Sequence, residues 1–76
     1  MKEILETIIT TLVSDKEAVT IKQIDGEQSI IFEVKVADAD MGKVIGKQGR
    51  IAKAIREIVR AVASKEQKRV TVEFID

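Results

Sequence analysis

The stretch Gly42-Lys43-Val44-Ile45-Gly46-Lys47-Gln48-Gly49-Arg50 sets two glycines three residues apart among three cations. That grouping suits the gripping of a phosphate. Gly46 and Gly49 carry no Cβ, so the main chain there can turn left-handed and bring its N–H groups against an anion. A helix beginning just after them adds unpaired N–H groups and about half a positive charge at its N-terminus. Lys43, Lys47 and Arg50 supply full charges. The competing reading is a helix C-cap followed by a tight turn, and the rest of the chain decides between the two.

The 76 residues hold 13 basic and 13 acidic side chains, a net charge of zero. The charges are not mixed evenly. Between Lys43 and Arg69 stand nine basic residues and two acidic ones, a local balance of +7 that leaves −7 on the remainder. A basic face on a neutral molecule is the electrostatic footprint expected of a nucleic-acid binder. With neither cysteine nor histidine, the chain has no disulfide, no thiolate and no soft-metal ligand, and it lacks the usual general base near neutral pH. Asp38 and Asp40 form an acidic pair without a third ligand, which suits a helix cap better than a metal. The lysines of the glycine stretch are followed by Val44 and Gln48, where a Walker pattern needs Ser or Thr, and the Rossmann glycine spacing is missing. No nucleophile and base pair stands out, so a non-enzymatic protein without cofactor or small-molecule substrate is expected.

Periodicity supplies the elements that must hold the loop. Ile4, Leu5, Ile8, Ile9, Leu12 and Val13 recur at helical spacing from Lys2 to Val13. Val19 to Lys22 alternates as a strand, Asp25 to Gln28 reads as a hairpin turn with Gly26 at a positive φ, and Ser29 to Val36 alternates as an antiparallel return strand. A short helix from Asp40 to Ile45, capped by Asp38 or Asp40, precedes the glycine turn. A long helix follows from Ile51 to about Ser64, with Ile51, Ala54, Ile55, Ile58, Val59 and Val62 as its apolar stripe and Lys53, Arg56 and Arg60 opposite. Arg69 to Ile75 alternates as a last strand, with Val70, Val72 and Phe74 facing inward. The expected fold is α+β, in the order α-β-β-α-α-β over one domain, 1–76, with a three-stranded sheet covered by three helices on one face. No apolar run reaches the length of a membrane span and no signal peptide is evident, so a cytoplasmic location is expected.

That order, with a Val-Ile-Gly-x-x-Gly turn between the second and third helices, resembles the KH domain of the bacterial (type II) arrangement, whose GXXG loop clamps about four backbone nucleotides. The resemblance covers essentially the whole chain. It is similar to the small stand-alone bacterial KH proteins of the KhpA kind, on Gly42 to Arg50 followed by Ala52-Lys53-Ala54-Ile55-Arg56. Relatives often carry a proline where the second helix begins, and this chain has none.

The resemblance implies a phosphate clamp at Gly46, Lys47, Gln48 and Gly49, flanked by Lys43 and Arg50, with Ile45, Lys53 and Arg56 beside it. Its base groove would be built from Val44, Ile45, Ile51, Ala52 and Ile55 and from the strand Ile30 to Val36. It further implies single-stranded RNA as the partner, with single-stranded DNA the alternative, and RNA chaperoning or regulation linked to cell elongation, division and cell-wall biogenesis. A homodimer, or a heterodimer with a larger KH protein of the KhpB (Jag) kind, follows from the same resemblance. Phe32 and Phe74 are the only aromatics and belong to inward strand faces, which argues against an aromatic stacking platform. Little sequence selectivity is therefore expected. The competing function is a protein-interaction module whose basic face meets an acidic partner.

Overall fold

The structure is a computed structural model and describes residues 1–75. Helix α1 (Lys2–Leu12) turns Leu5 and Ile9 fully inward and ends where Val13 takes extended backbone, its N–H still bonded to the Ile9 carbonyl at 3.1 Å. After a 3-10 turn at Lys16–Ala18, strand β1 (Thr20–Asp25) pairs antiparallel with β2 (Ser29–Lys35), with Thr20 opposite Lys35 and Asp25 opposite Ile30. A second 3-10 turn, Asp38–Asp40, leads into the short helix α2 (Met41–Ile45). A third spans Lys47–Gly49 and hands over to α3 (Arg50–Ser64), after which β3 (Arg69–Ile75) completes the sheet.

The sheet order is β1-β2-β3, with β3 parallel to β2 and Ser29 opposite Arg69. A parallel neighbour requires a crossover connection, and the α2–α3 segment provides it. The central strand alternates strictly: Ile30, Phe32 and Val34 are buried, whereas Ser29, Ile31 and Glu33 keep partial exposure. One core joins those residues to Leu5 and Ile9 of α1, Val44 of α2, Ile55, Val59 and Ala63 of α3, and Val70 and Val72 of β3. The α+β class, the element order and the helices gathered against one face of a three-stranded sheet are as the periodicity predicts.

Several local expectations are corrected. Gly26 is not left-handed, because the glycines with positive φ are Gly46 and Gly49. The hairpin closes instead through the Gly26 N–H, which donates to the Ser29 carbonyl at 2.7 Å, and a Cβ on Gly26 would lie 2.6 Å from Ser29 Oγ. Neither Asp38 nor Asp40 caps a helix with its side chain. Strand β1 runs on to Asp25, beyond the alternation that ends at Lys22.

The buried face of α3 is also rotated from the expected stripe. It is built on Ala52, Ile55, Val59 and Ala63, while Ala54 is exposed and Ile58 is 48% exposed. Two alanines under the helix let it lie close to the sheet, and the larger Ile51 and Val62 pack at its flanks. The open sheet face likewise carries apolar groups beside its charges, since Ile24 is exposed opposite a half-buried Ile31. Among the described residues no helix is long and apolar enough to cross a membrane.

Candidate nucleic-acid interface

The loop between α2 and α3 is shaped by main-chain conformation. The Gly46 N–H closes α2 on the Gly42 carbonyl at 2.9 Å, and Gly46 then takes φ 76°, ψ 176°, a region open essentially to glycine alone. Gln48 (φ 57°, ψ 26°) and Gly49 (φ 73°, ψ 17°) are both left-handed, so three of the four residues Gly46 to Gly49 have positive φ. The Gly49 N–H donates to the Gly46 carbonyl at 3.2 Å and the Arg50 N–H to the Lys47 carbonyl. Those of Lys47 and Gln48 have no main-chain acceptor among the described residues. Successive N–H groups in such a turn point into one concavity, where an anion is attracted.

The two glycines do different work. A Cβ on Gly46 would lie 2.6 Å from Cγ1 of Ile51, so this glycine lets the turn fold down onto the first residues of α3. A Cβ on Gly49 would meet nothing within 4 Å, so this glycine faces open space. Lys47, Gln48 and Arg50 are exposed around it, and α3 adds its N-terminal positive end, with no side chain on the cap residue Gly49 to occupy it. Among the described residues Lys47, Arg50 and Lys53 have no carboxylate in ion-pair range, which leaves three full charges available to an anion.

Lys43 is placed elsewhere. Its ammonium lies 3.1 Å from Asp40 Oδ1 and donates to Ser14 Oγ, which joins α2 to the link between α1 and β1. Asp40 is the one buried charged residue of the described chain, and its Oδ2 accepts the Asp15 N–H at 3.0 Å. The main-chain N–H groups of Asp15 and Ser14, with smaller help from Lys43, hold this carboxyl below its ordinary range. The first turn of α2, one turn before the loop, is thereby tied to the α1–β1 link. Sequence reasoning sees Asp40 as a cap because nothing local marks a partner 25 residues away.

The residues expected to line a base groove differ in exposure. Val44, Ala52 and Ile55 are buried and cannot meet a base, whereas Ile45 and Ile51 keep partial exposure next to the loop. Strand β2 is central, with its peptide groups paired to both neighbours. The accessible edge beside α3 belongs to β3. Arg56, half-buried on α3, reaches that edge: its Nε donates to the Val72 carbonyl at 3.1 Å, and its guanidinium carbon lies 5.4 Å from the centroid of the Phe74 ring. Lys53, Arg56 and Arg60, spaced by three and four residues, continue the loop's positive charge along one side of α3.

Comparison with known proteins gives a consistent result. The family model described as "KhpA/KhpB, KH domain" matches residues 2–74. The chain is 61% identical to the "RNA-binding protein KhpA" of Clostridium acetobutylicum over 75 residues, covering 99% of this chain and all of that one. It is 60% identical to the protein of the same description from Caldanaerobacter subterraneus, with the same coverage. The similarity to that of Aquifex aeolicus is 43% over 76 residues, covering all of this chain and 96% of the relative. No solved structure gives a significant match. A glycine turn between two helices on a three-stranded mixed sheet, matched over nearly its whole length, places the chain in the KhpA/KhpB family of KH domains.

Proposed function

We propose that this protein is a non-enzymatic single-stranded RNA-binding protein whose Gly46-Lys47-Gln48-Gly49 turn clamps the phosphate backbone. The observation that carries this reading is the turn itself: positive φ at Gly46, Gln48 and Gly49, and N–H groups of Lys47 and Gln48 that, among the described residues, have no main-chain acceptor beside three cations with no carboxylate in ion-pair range. Relatives described as RNA-binding proteins support it. Lys47, Arg50 and Lys53 supply the charge at the loop, Ile45 and Ile51 offer apolar contact beside it, and Arg56 lies further along α3. Lys43 contributes by holding α2 in place more than by touching phosphate.

The domain acts alone as a fold and in pairs as a binder, in the cytoplasm, as an RNA chaperone or post-transcriptional regulator connected with cell elongation and division. One small site gives modest affinity, and a second copy or a larger KhpB-like KH protein raises it through avidity. Two exposed isoleucines, Ile58 on α3 and Ile4 on α1, favour a second reading in which the protein serves mainly as the partner subunit of such a protein.

The test is the double substitution Lys47→Asp, Gln48→Asp. Both positions are exposed, so the fold is kept, and each change sets a carboxylate where a phosphate has to lie. Single-stranded RNA binding is expected to fall by at least about tenfold, as befits like-charge repulsion of more than about 1.4 kcal/mol. Undiminished binding by a folded variant removes the loop from the mechanism and leaves the partner-subunit reading.

A further inference from the structure

The two edges of the sheet differ in what meets them. At β3 the Val72 carbonyl already accepts Nε of Arg56 from α3. At β1 the main chain is open. The Gly26 N–H donates to the Ser29 carbonyl, and an antiparallel ladder alternates from there, so the peptide groups of Thr20, Lys22 and Ile24 turn toward β2. Those of Ile21, Gln23 and Asp25 turn away from it, and no turn, cap or side chain among the described residues accepts their N–H groups. Six consecutive residues of β1 pair with β2 and the chain has no proline, so neither a bulge nor a proline closes this edge. Beside it lies a groove of about 270 Å³ lined by Glu6 and Thr10 of α1 and by Lys16, Val19 and Ile21. That is below the roughly 300–1,000 Å³ of a small-molecule site and suits a single side chain.

From this we infer that β1 takes up an extended peptide segment of a partner protein as a fourth strand of the sheet. The inference stands apart from the RNA-binding reading, because β2 separates β1 from β3 and the glycine loop belongs to the α2–α3 crossover. Main-chain bonds to Ile21, Gln23 and Asp25 supply the affinity, and alternate side chains supply the choice of segment. Ile21, Gln23 and Asp25 stand opposite the buried Val34, Phe32 and Ile30, so their side chains lie on the helix side. There an aliphatic residue opposite Ile21 enters the groove. A cation suits the place opposite Asp25, whose carboxylate accepts Gln23 Nε2 at 2.8 Å and has no cation in ion-pair range among the described residues. On the open face an acidic residue suits Lys22, which also lacks an ion pair, and a β-branched apolar residue suits the exposed Ile24. For an antiparallel addition the segment therefore runs basic, apolar, unrestricted, acidic, aliphatic. A second copy of β1 does not meet these demands, since its helix side carries no cation.

The experiment titrates the full chain with the end-capped peptide Lys-Val-Thr-Glu-Val-Thr and follows amide exchange by NMR. The peptide is expected to slow exchange severalfold at Ile21, Gln23 and Asp25. N-methylation of its first Thr and second Val removes the donors that face β1 and should abolish binding, whereas N-methylation of its first Val and its Glu should leave it intact. Gln23→Pro deletes an outward N–H and no ladder bond, at a place where an edge strand tolerates proline, and should weaken binding at least about fivefold. Asp25→Lys carries the test if that variant fails to fold: it should weaken binding about two- to fivefold, and a peptide beginning with Glu in place of Lys should restore it. No slowing at the three amides, equal effects of the two N-methylation patterns, or undiminished binding by the folded variants would each overturn the inference. Slowing that follows the concentration of the protein alone would overturn it too, by making a second copy the occupant.

Discussion

Gly46 and Gly49 carry the same motif and should respond very differently to the same change. At Gly46 the main chain sits at φ 76°, ψ 176°, where a side chain costs roughly 3 kcal/mol, the upper end for such conformations. An added Cβ would also lie 2.6 Å from Cγ1 and 3.0 Å from Cβ and Cδ1 of the half-buried Ile51, and moving that side chain off its rotamer costs about another 1 kcal/mol. At Gly49 the conformation is the ordinary left-handed one, costing about 1–2 kcal/mol, and nothing stands within 4 Å. Gly46→Ala should therefore lose about 3–4 kcal/mol, a large part of the roughly 4–11 kcal/mol expected of a chain this long. Gly49→Ala should lose about 1 kcal/mol, or about 4–8 °C in Tm, and stay folded. Urea denaturation followed by circular dichroism measures both. Equal losses, or a Gly49→Ala loss exceeding that of Gly46→Ala, would refute the division of labour. Binding should show the reverse: Gly49→Ala, though folded, places a methyl on the open side of the clamp and should weaken RNA binding severalfold.

Further outcomes can be checked on the same protein. The end of α3 is closed by Gln67 in the left-handed conformation, with the Lys68 N–H on the Ala63 carbonyl and the Gln67 N–H on that of Ser64, so Gln67→Gly should stabilise the fold by about 1 kcal/mol in denaturant melts. Asp40 has its folded-state pKa lowered, first by the Asp15 N–H, so the stability it contributes is fully present above its unfolded value and lost as pH falls through the lower folded value. The stability gap between wild type and Asp40→Asn should accordingly be widest near neutrality and close below about pH 4, as followed by melting across a pH series. Phe32, fully buried at the centre of β2, should cost about 3–5 kcal/mol on replacement by Ala, enough to leave little folded protein in a thermal scan.

What the residues disclosed follows a physical pattern. The alternation of Ile30, Phe32 and Val34 and the helical spacing of Leu5 and Ile9 each report one buried face, and both faces are where periodicity places them. The stripe of α3 was harder to read, because Ile58 and Ala52 exchange roles according to how close the helix approaches the sheet, and closeness favours alanine underneath. Gln48 and Gln67 take left-handed backbone that glutamine does not advertise, so neither conformation could be assigned from residue type. The loop glycines were legible because their chemistry is local. Lys43, Asp40 and Arg56 were not, since their contacts cross 29, 25 and 16 residues of sequence. Those long-range contacts separate a lysine tied to the α1–β1 link from an arginine fixed against the edge strand β3.

The claim on which the rest depends is that the loop and its neighbouring cations hold phosphates of a single strand. The salt dependence of the wild-type affinity for a single-stranded RNA tests it most directly, because each neutralised phosphate contributes about −0.7 to the slope of log K against log salt. Contact with three or four phosphates predicts a slope of roughly −2 to −3, reduced toward zero in the Lys47→Asp, Gln48→Asp protein. A wild-type slope near zero, or one the loop substitutions leave unchanged, would contradict it.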